Sequence, residues 1–131
     1  MKSDGRHADP ARAGAEKRGR RAEHLALWYL RAKGYRLLAR RFRTPLGEID
    51  LVMRHRRAIV FVEVKHRAHE SEALDAVTVR SRKRIARAAQ YWLAGHPDAA
   101  ALDFRFDIVA MRPGRFPRHV MAVFDVAGGA W

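Results

Sequence analysis

The chain reads as one mixed α/β domain, with two helices packed against a single sheet in the order αβββαββ. Three observations predict this. Apolar residues recur at helical spacing in two windows and gather in five short extended runs bounded by turn residues. The turns joining the first three runs are too short for parallel crossovers, so those runs form antiparallel hairpins. A longer connection containing the second helix separates the third run from the fourth and lets those two lie parallel. At 131 residues and 48% hydrophobic composition, the chain suits one core and is too short for two ordinary ones.

In chain order, residues 1–14 contain Gly, Ala, Asp, Pro and Arg without periodicity and read as a disordered basic tail, leaving 15–131 as the domain. The first helix is expected from Ala15 to Lys33, with Ala26, Leu27 and Leu30 on one face and Gly34 as its stop. Strands follow at Tyr35–Arg43, Gly47–Arg54 and Ala58–Arg67, punctuated by Pro45 and Gly47 and then by His55 to Arg57. The polar stretch Ala68–Ala76 reads as a mobile loop. The second helix spans Thr78–Ala94, with Ile85, Ala88, Ala89 and Trp92 at i, i+3, i+4 and i+7, and stops at Gly95, His96 and Pro97. Strands Phe104–Met111 and His119–Val126, joined at Pro113 and Gly114, complete the order. Trp28, Tyr29, Tyr91 and Trp92 are assigned to the core, and Arg105 with Asp107 to a buried pair bracing the sheet.

Lys and Arg total 27 against 14 acids, giving a net +13 with histidine neutral. The first 21 residues hold seven basic and three acidic side chains, or +4, so the remainder still carries +9. A basic domain attracts polyanions; nucleic acid leads, DNA ahead of RNA, with anionic lipid or ribosome behind. Arg80, Lys83, Arg84 and Arg87 gather on the side of the second helix away from its apolar stripe, and Arg41 and Arg43 add phosphate-contact candidates on the first strand. The absence of cysteine excludes disulfides, thiolate zinc sites and thiol nucleophiles. No window approaches the roughly 18 apolar residues of a membrane span, and the start lacks a signal-type apolar core, so no membrane partner is expected and the cytoplasm is the default.

The chemistry concentrates between Gly47 and Arg67. With a side-chain period of two, Glu63 and Lys65 share a strand face with Ile59 and Phe61, while Val60, Val62 and Val64 line the other. Buried charge is costly unless paired or bound to a metal, so Asp50, Glu63 and Lys65 converging on one sheet predict a divalent-metal site, Mg²⁺ or Mn²⁺, for cutting phosphodiesters. Asp50 and Glu63 are the carboxylate ligands, the Val64 carbonyl a further oxygen, and Lys65 orients or deprotonates water or faces phosphate. Glu23 shares a helical face with Ala26, Leu27 and Leu30 and could complete the set. Glu48 and Gln90 are auxiliary candidates. The competing reading of Glu63 and Lys65 is a same-face ion pair. His66 and His69 at a strand-to-loop junction have poor zinc geometry.

The pattern Gly19, Ala22-Glu23, Ala26, Tyr29-Leu30, Gly34-Tyr35, Gly47-Glu48-Ile49-Asp50-Leu51, Phe61-Val62-Glu63-Val64-Lys65-His66-Arg67, Ala76-Val77-Thr78, Lys83, Arg84-Ile85, Ala89 and Arg105-Phe106-Asp107 resembles the YraN-like uncharacterised bacterial proteins. These are similar to the PD-(D/E)XK endonuclease superfamily, and the likeness spans about residues 17 to 125. The resemblance implies a restriction-endonuclease-like core, with metal-binding acids at Asp50 and Glu63, a catalytic lysine at Lys65 and a helix-one acid at Glu23. The chain departs from the family at Arg41, where Asn is usual, and in the loop His69 to Ala73, where a Phe-Gly pair is usual. Three functions compete: a metal-dependent endonuclease, in which a homodimer would be one way to reach two strands; a non-catalytic nucleic-acid-binding accessory in recombination, repair or DNA uptake; and a protein-binding adaptor.

Overall fold

The computed structural model describes residues 10–66 and 79–124. Helix α1 (Pro10–Ala32) leads into strands β1 (Arg36–Thr44), β2 (Gly47–His55) and β3 (Ala58–His66). After the segment 67–78 come helix α2 (Val79–Ala94), a 3-10 turn (Pro97–Ala101), and strands β4 (Asp103–Met111) and β5 (Arg118–Phe124). The five strands form one mixed sheet in the order β1-β2-β3-β4-β5. All neighbours are antiparallel except β3 and β4, which run parallel across the α2 connection as the connection length predicts.

Alternation along β3 decides which helix covers which face. Ile59 and Phe61 pack with Ile85, Ala88, Ala89 and Trp92 of α2, whereas Val60 and Val62 pack with Ala22, Ala26, Leu27 and Leu30 of α1. The helices thus sandwich the sheet, and β3, paired on both sides, is apolar on both faces. Phe61 anchors the α2 side by meeting Phe106 at 5.3 Å and Trp92 at 6.0 Å between ring centroids.

Several expectations are corrected. The first helix begins at Pro10 rather than Ala15, and residues 1–9 of the expected tail lie outside the described residues. Trp28 and Tyr91 are not core: they are 57% and 48% exposed. Each lies one position from a buried residue, Leu27 or Trp92, and one position turns a helical side chain by about 100°. The 3-10 turn was not foreseen; Pro97 starts it, and Ala99 is buried against α2. The expected loop Ala68–Ala76 falls within 67–78, outside the described residues.

The expected Arg105–Asp107 pair is present, with Asp107 1% exposed. Arg105 Nε donates to both carboxylate oxygens at 3.1 and 3.2 Å, His119 Nε2 lies 2.7 Å from Oδ2, and the Ala122 N–H donates to Oδ1 at 3.0 Å. The β4–β5 register shifts between Phe106 and Ile108, and Ala122 takes φ 55° there. The carboxylate accepts an amide that the shifted ladder leaves over, which satisfies the backbone at the bulge.

Candidate functional site

Strands β2 and β3 stop pairing after Leu51 and Val62. Beyond that point the Val64 N–H donates to Asp50 Oδ2 at 2.8 Å, so a carboxylate stands where the next ladder carbonyl would. Asp50 and Glu63 follow the last paired residues on the two strands and stand close enough at this fork for Glu63 to act on the Asp50 carboxyl. Lys65 Nζ lies 3.9 Å from Glu63 Oε2, with both side chains about one-fifth exposed, at 20% and 19%. The sequence therefore anticipated a trio that the fold does bring together. Burial, followed by the hydrogen bond and charge of Glu63, pushes the Asp50 carboxyl up to about 8.

The fork is also where α2 presses on the sheet. A Cβ placed on Gly47 would collide with the carbonyl oxygen of Arg84 and come within 2.8 Å of its carbonyl carbon. Glycine is thus required by close backbone approach, and it brings the start of β2 against α2. Ile49 joins the α2 cluster although Leu51 packs towards α1, so the alternation of β2 breaks between them, at Asp50.

The remaining candidates are dispersed. Glu23 is hydrogen-bonded at 2.9 Å to Arg41 Nε and does not join the two carboxylates. Arg41 adopts φ 49° and also feels the negative charges of Glu48 and Asp50, so it stands between the helix-one acid and the fork. Glu48 pairs with Arg43 at 3.1 Å on the surface, the side chains being 44% and 71% exposed, which is the solvated arrangement. Gln90, Lys83, Arg84 and Arg87 are exposed along α2, while the Arg80 side chain lies outside the described residues. His66 is exposed at the end of β3, and His69 is outside the described residues. Among the described residues, no group of three or more His, Asp or Glu side chains is arranged to hold a metal ion. The fork therefore presents two carboxyls, those of Asp50 and Glu63.

One grouping of basic side chains is not legible in the sequence. Arg20, Arg21 and His24 of α1 face Arg40 and Arg41 of β1 across a cleft of about 590 Å³. Arg21 and Arg40 are 19 positions apart, and only the packing of α1 beside the edge strand brings them together. No helix of the described residues is long and apolar enough to cross a membrane.

Comparison with known sequences places the chain among proteins of one bacterial family. A relative in Bradyrhizobium diazoefficiens, UPF0102 protein bll0669, is 52% identical over 120 residues, covering 92% of this chain and 90% of the relative. A UPF0102 protein of Nitrobacter winogradskyi is 51% identical over 109 residues, covering 83% and 92%. The model of the "Uncharacterised protein family UPF0102" matches residues 22–111, which include the β2–β3 fork, α2 and β4. This chain belongs to the UPF0102 family, the YraN-like family that its motifs resemble.

Proposed function

We propose that this protein hydrolyses phosphodiester bonds in nucleic acid, DNA ahead of RNA, with Mg²⁺ or Mn²⁺ held by Asp50 and Glu63. The observation that carries this reading is the meeting of those two carboxyls beside Lys65 where β2 and β3 part. The donor set fits such an ion, because Mg²⁺ uses one or two carboxylates and completes its shell with water and substrate phosphate. Two facing carboxyls in a half-buried fork also repel each other when both are ionised, a repulsion that a cation would relieve. When bound, the ion would supply an acidified water and positive charge over the phosphate.

The protein's own side chains take the other roles. Asp50, fixed through Val64, and Glu63 offer hard oxygens, with the Val64 carbonyl as a further donor. Lys65 holds its ammonium beside Glu63, where it neutralises phosphate charge or exchanges a proton at Nζ. The test incubates purified protein and Mn²⁺ with single-stranded, duplex and branched DNA. Cleavage is expected, with Asp50→Ala and Lys65→Ala abolishing it while circular dichroism stays unchanged. Undiminished cleavage by both variants would remove the fork as the active centre.

A second reading is a nucleic-acid-binding accessory without catalysis. It is favoured by the engagement of Glu23 with Arg41, which leaves two carboxylates at the fork. It predicts salt-dependent binding that survives Asp50→Ala and no cleavage of any substrate.

A further inference from the structure

We propose that single-stranded nucleic acid binds in the cleft between α1 and β1, on the surface built by Arg20, Arg21, His24 and Arg40, with an unstacked base on Trp28. This rests on the nucleic-acid reading above and names the surface and the strand form.

The cleft is lined by five basic residues, Arg20, Arg21, His24, Arg40 and Arg41. The acid beside them, Glu23, is engaged by Arg41. Like charges gathered along one cleft repel, and a bound chain of phosphates relieves that repulsion. Arg20, Arg21, His24 and Arg40 are all exposed, so three guanidinium groups and an imidazole are available to a ligand.

Trp28 adds the second component. Arg20, His24 and Trp28 follow at i, i+4 and i+8 and form one ridge along α1. The Trp28 ring is 57% exposed, meets the His24 ring edge-on at 6.5 Å, and carries the Arg31 guanidinium 5.4 Å from its centroid. An exposed aromatic beside an imidazole and a guanidinium is a stacking platform for a base. Duplex DNA keeps its bases stacked inside and offers no face to such a ring, which selects single strands.

The track continues past the cleft. Arg21 also lines a groove of about 1110 Å³ with Arg112, Arg115 and the hairpin tip of β4–β5, where Phe116 is 87% exposed. Arg112 donates to the Phe116 carbonyl at 3.3 Å and steadies that tip. Arg41, which also lines the cleft, lies on β1 between the partners of Leu51 and Ile49 and so beside Asp50, which leads a strand lying in the cleft towards the fork.

The test measures fluorescence anisotropy of a labelled oligothymidine against the full chain in EDTA at several salt concentrations. Arg20→Gln/Arg21→Gln/Arg40→Gln together should weaken binding at least tenfold more than Lys83→Gln/Arg84→Gln/Arg87→Gln on α2. They should also lower the slope of log affinity against log salt by about 2, the value for three lost single-strand phosphate contacts. Trp28→Ala should weaken oligothymidine binding on the order of tenfold and duplex binding less. Thermal melts confirm that these exposed substitutions leave folding intact. Equal or greater loss in the α2 triple variant would overturn the proposal. So would a Trp28→Ala variant that binds normally, oligothymidine that does not bind, or capture by phosphatidylglycerol vesicles that oligothymidine does not compete. Since EDTA excludes hydrolysis, binding by the track without cleavage in Mn²⁺ defeats the hydrolytic reading alone.

Discussion

Asp50→Asn should make the metal-free protein more stable at neutral pH. In the folded chain the Asp50 carboxyl is pushed up from 3.8 to about 8, through burial first and then the hydrogen bond and charge of Glu63. Between those values the folded state holds a proton that the unfolded chain releases, so stability falls as pH rises through that window. At pH 7 this costs folding on the order of 4 kcal/mol at most, and about 2–4 kcal/mol once solvent access to the fork is included. Asparagine imitates the neutral carboxyl. Its oxygen accepts the Val64 N–H and its amide donates to Glu63, without the penalty. Melting in EDTA from pH 4 to 9 should show equal midpoints near pH 4 and a gap that widens to roughly 7–15 °C near neutrality for a chain of this size. A gap independent of pH, or a variant less stable at pH 8, would mean that the two carboxyls do not confront each other and would falsify the geometry behind the proposed function.

Asp107→Ala should cost about 2–4 kcal/mol at pH 7, because it strands the half-buried Arg105 charge and orphans the Ala122 amide. Burial alone would raise this carboxyl, but hydrogen bonds from His119, Ala122 and Arg105 bring it below its ordinary range. Its contribution is therefore present above about pH 4 and lost as pH falls through the lower folded value, so the urea midpoints of variant and parent should converge in acid; a neutral-pH loss under 1 kcal/mol would rule out the network. Gly47→Ala should destabilise by about 1–3 kcal/mol, since the added methyl meets the Arg84 carbonyl and must push α2 off β2. An unchanged melting midpoint would show that the helix does not approach there.

The element order was legible because its signals are local. Val60, Val62, Ile59 and Phe61 alternate along β3, and Ile85, Ala89 and Trp92 repeat along α2. Periodicity fixes which residues share a face, so Glu63 and Lys65 were correctly placed together. It did not say how much of each helix lies against the sheet, and Trp28 and Tyr91, apolar and at plausible spacing, face solvent. The 3-10 turn at Pro97 was missed for a related reason: five residues carry too little periodicity to register.

By itself, the sequence determined the strand and helix order, the parallel crossover, the apolar faces and the candidacy of Asp50, Glu63 and Lys65, all of which follow from spacing along one chain. Tertiary structure alone decided that Asp50 meets Glu63 at the fork, that Glu23 turns to Arg41 instead, and that Arg20 and Arg21 face Arg40. Those pairings join residues on different elements. Their separation depends on strand twist and on which helix covers which face, neither of which is written in the spacing of any single segment.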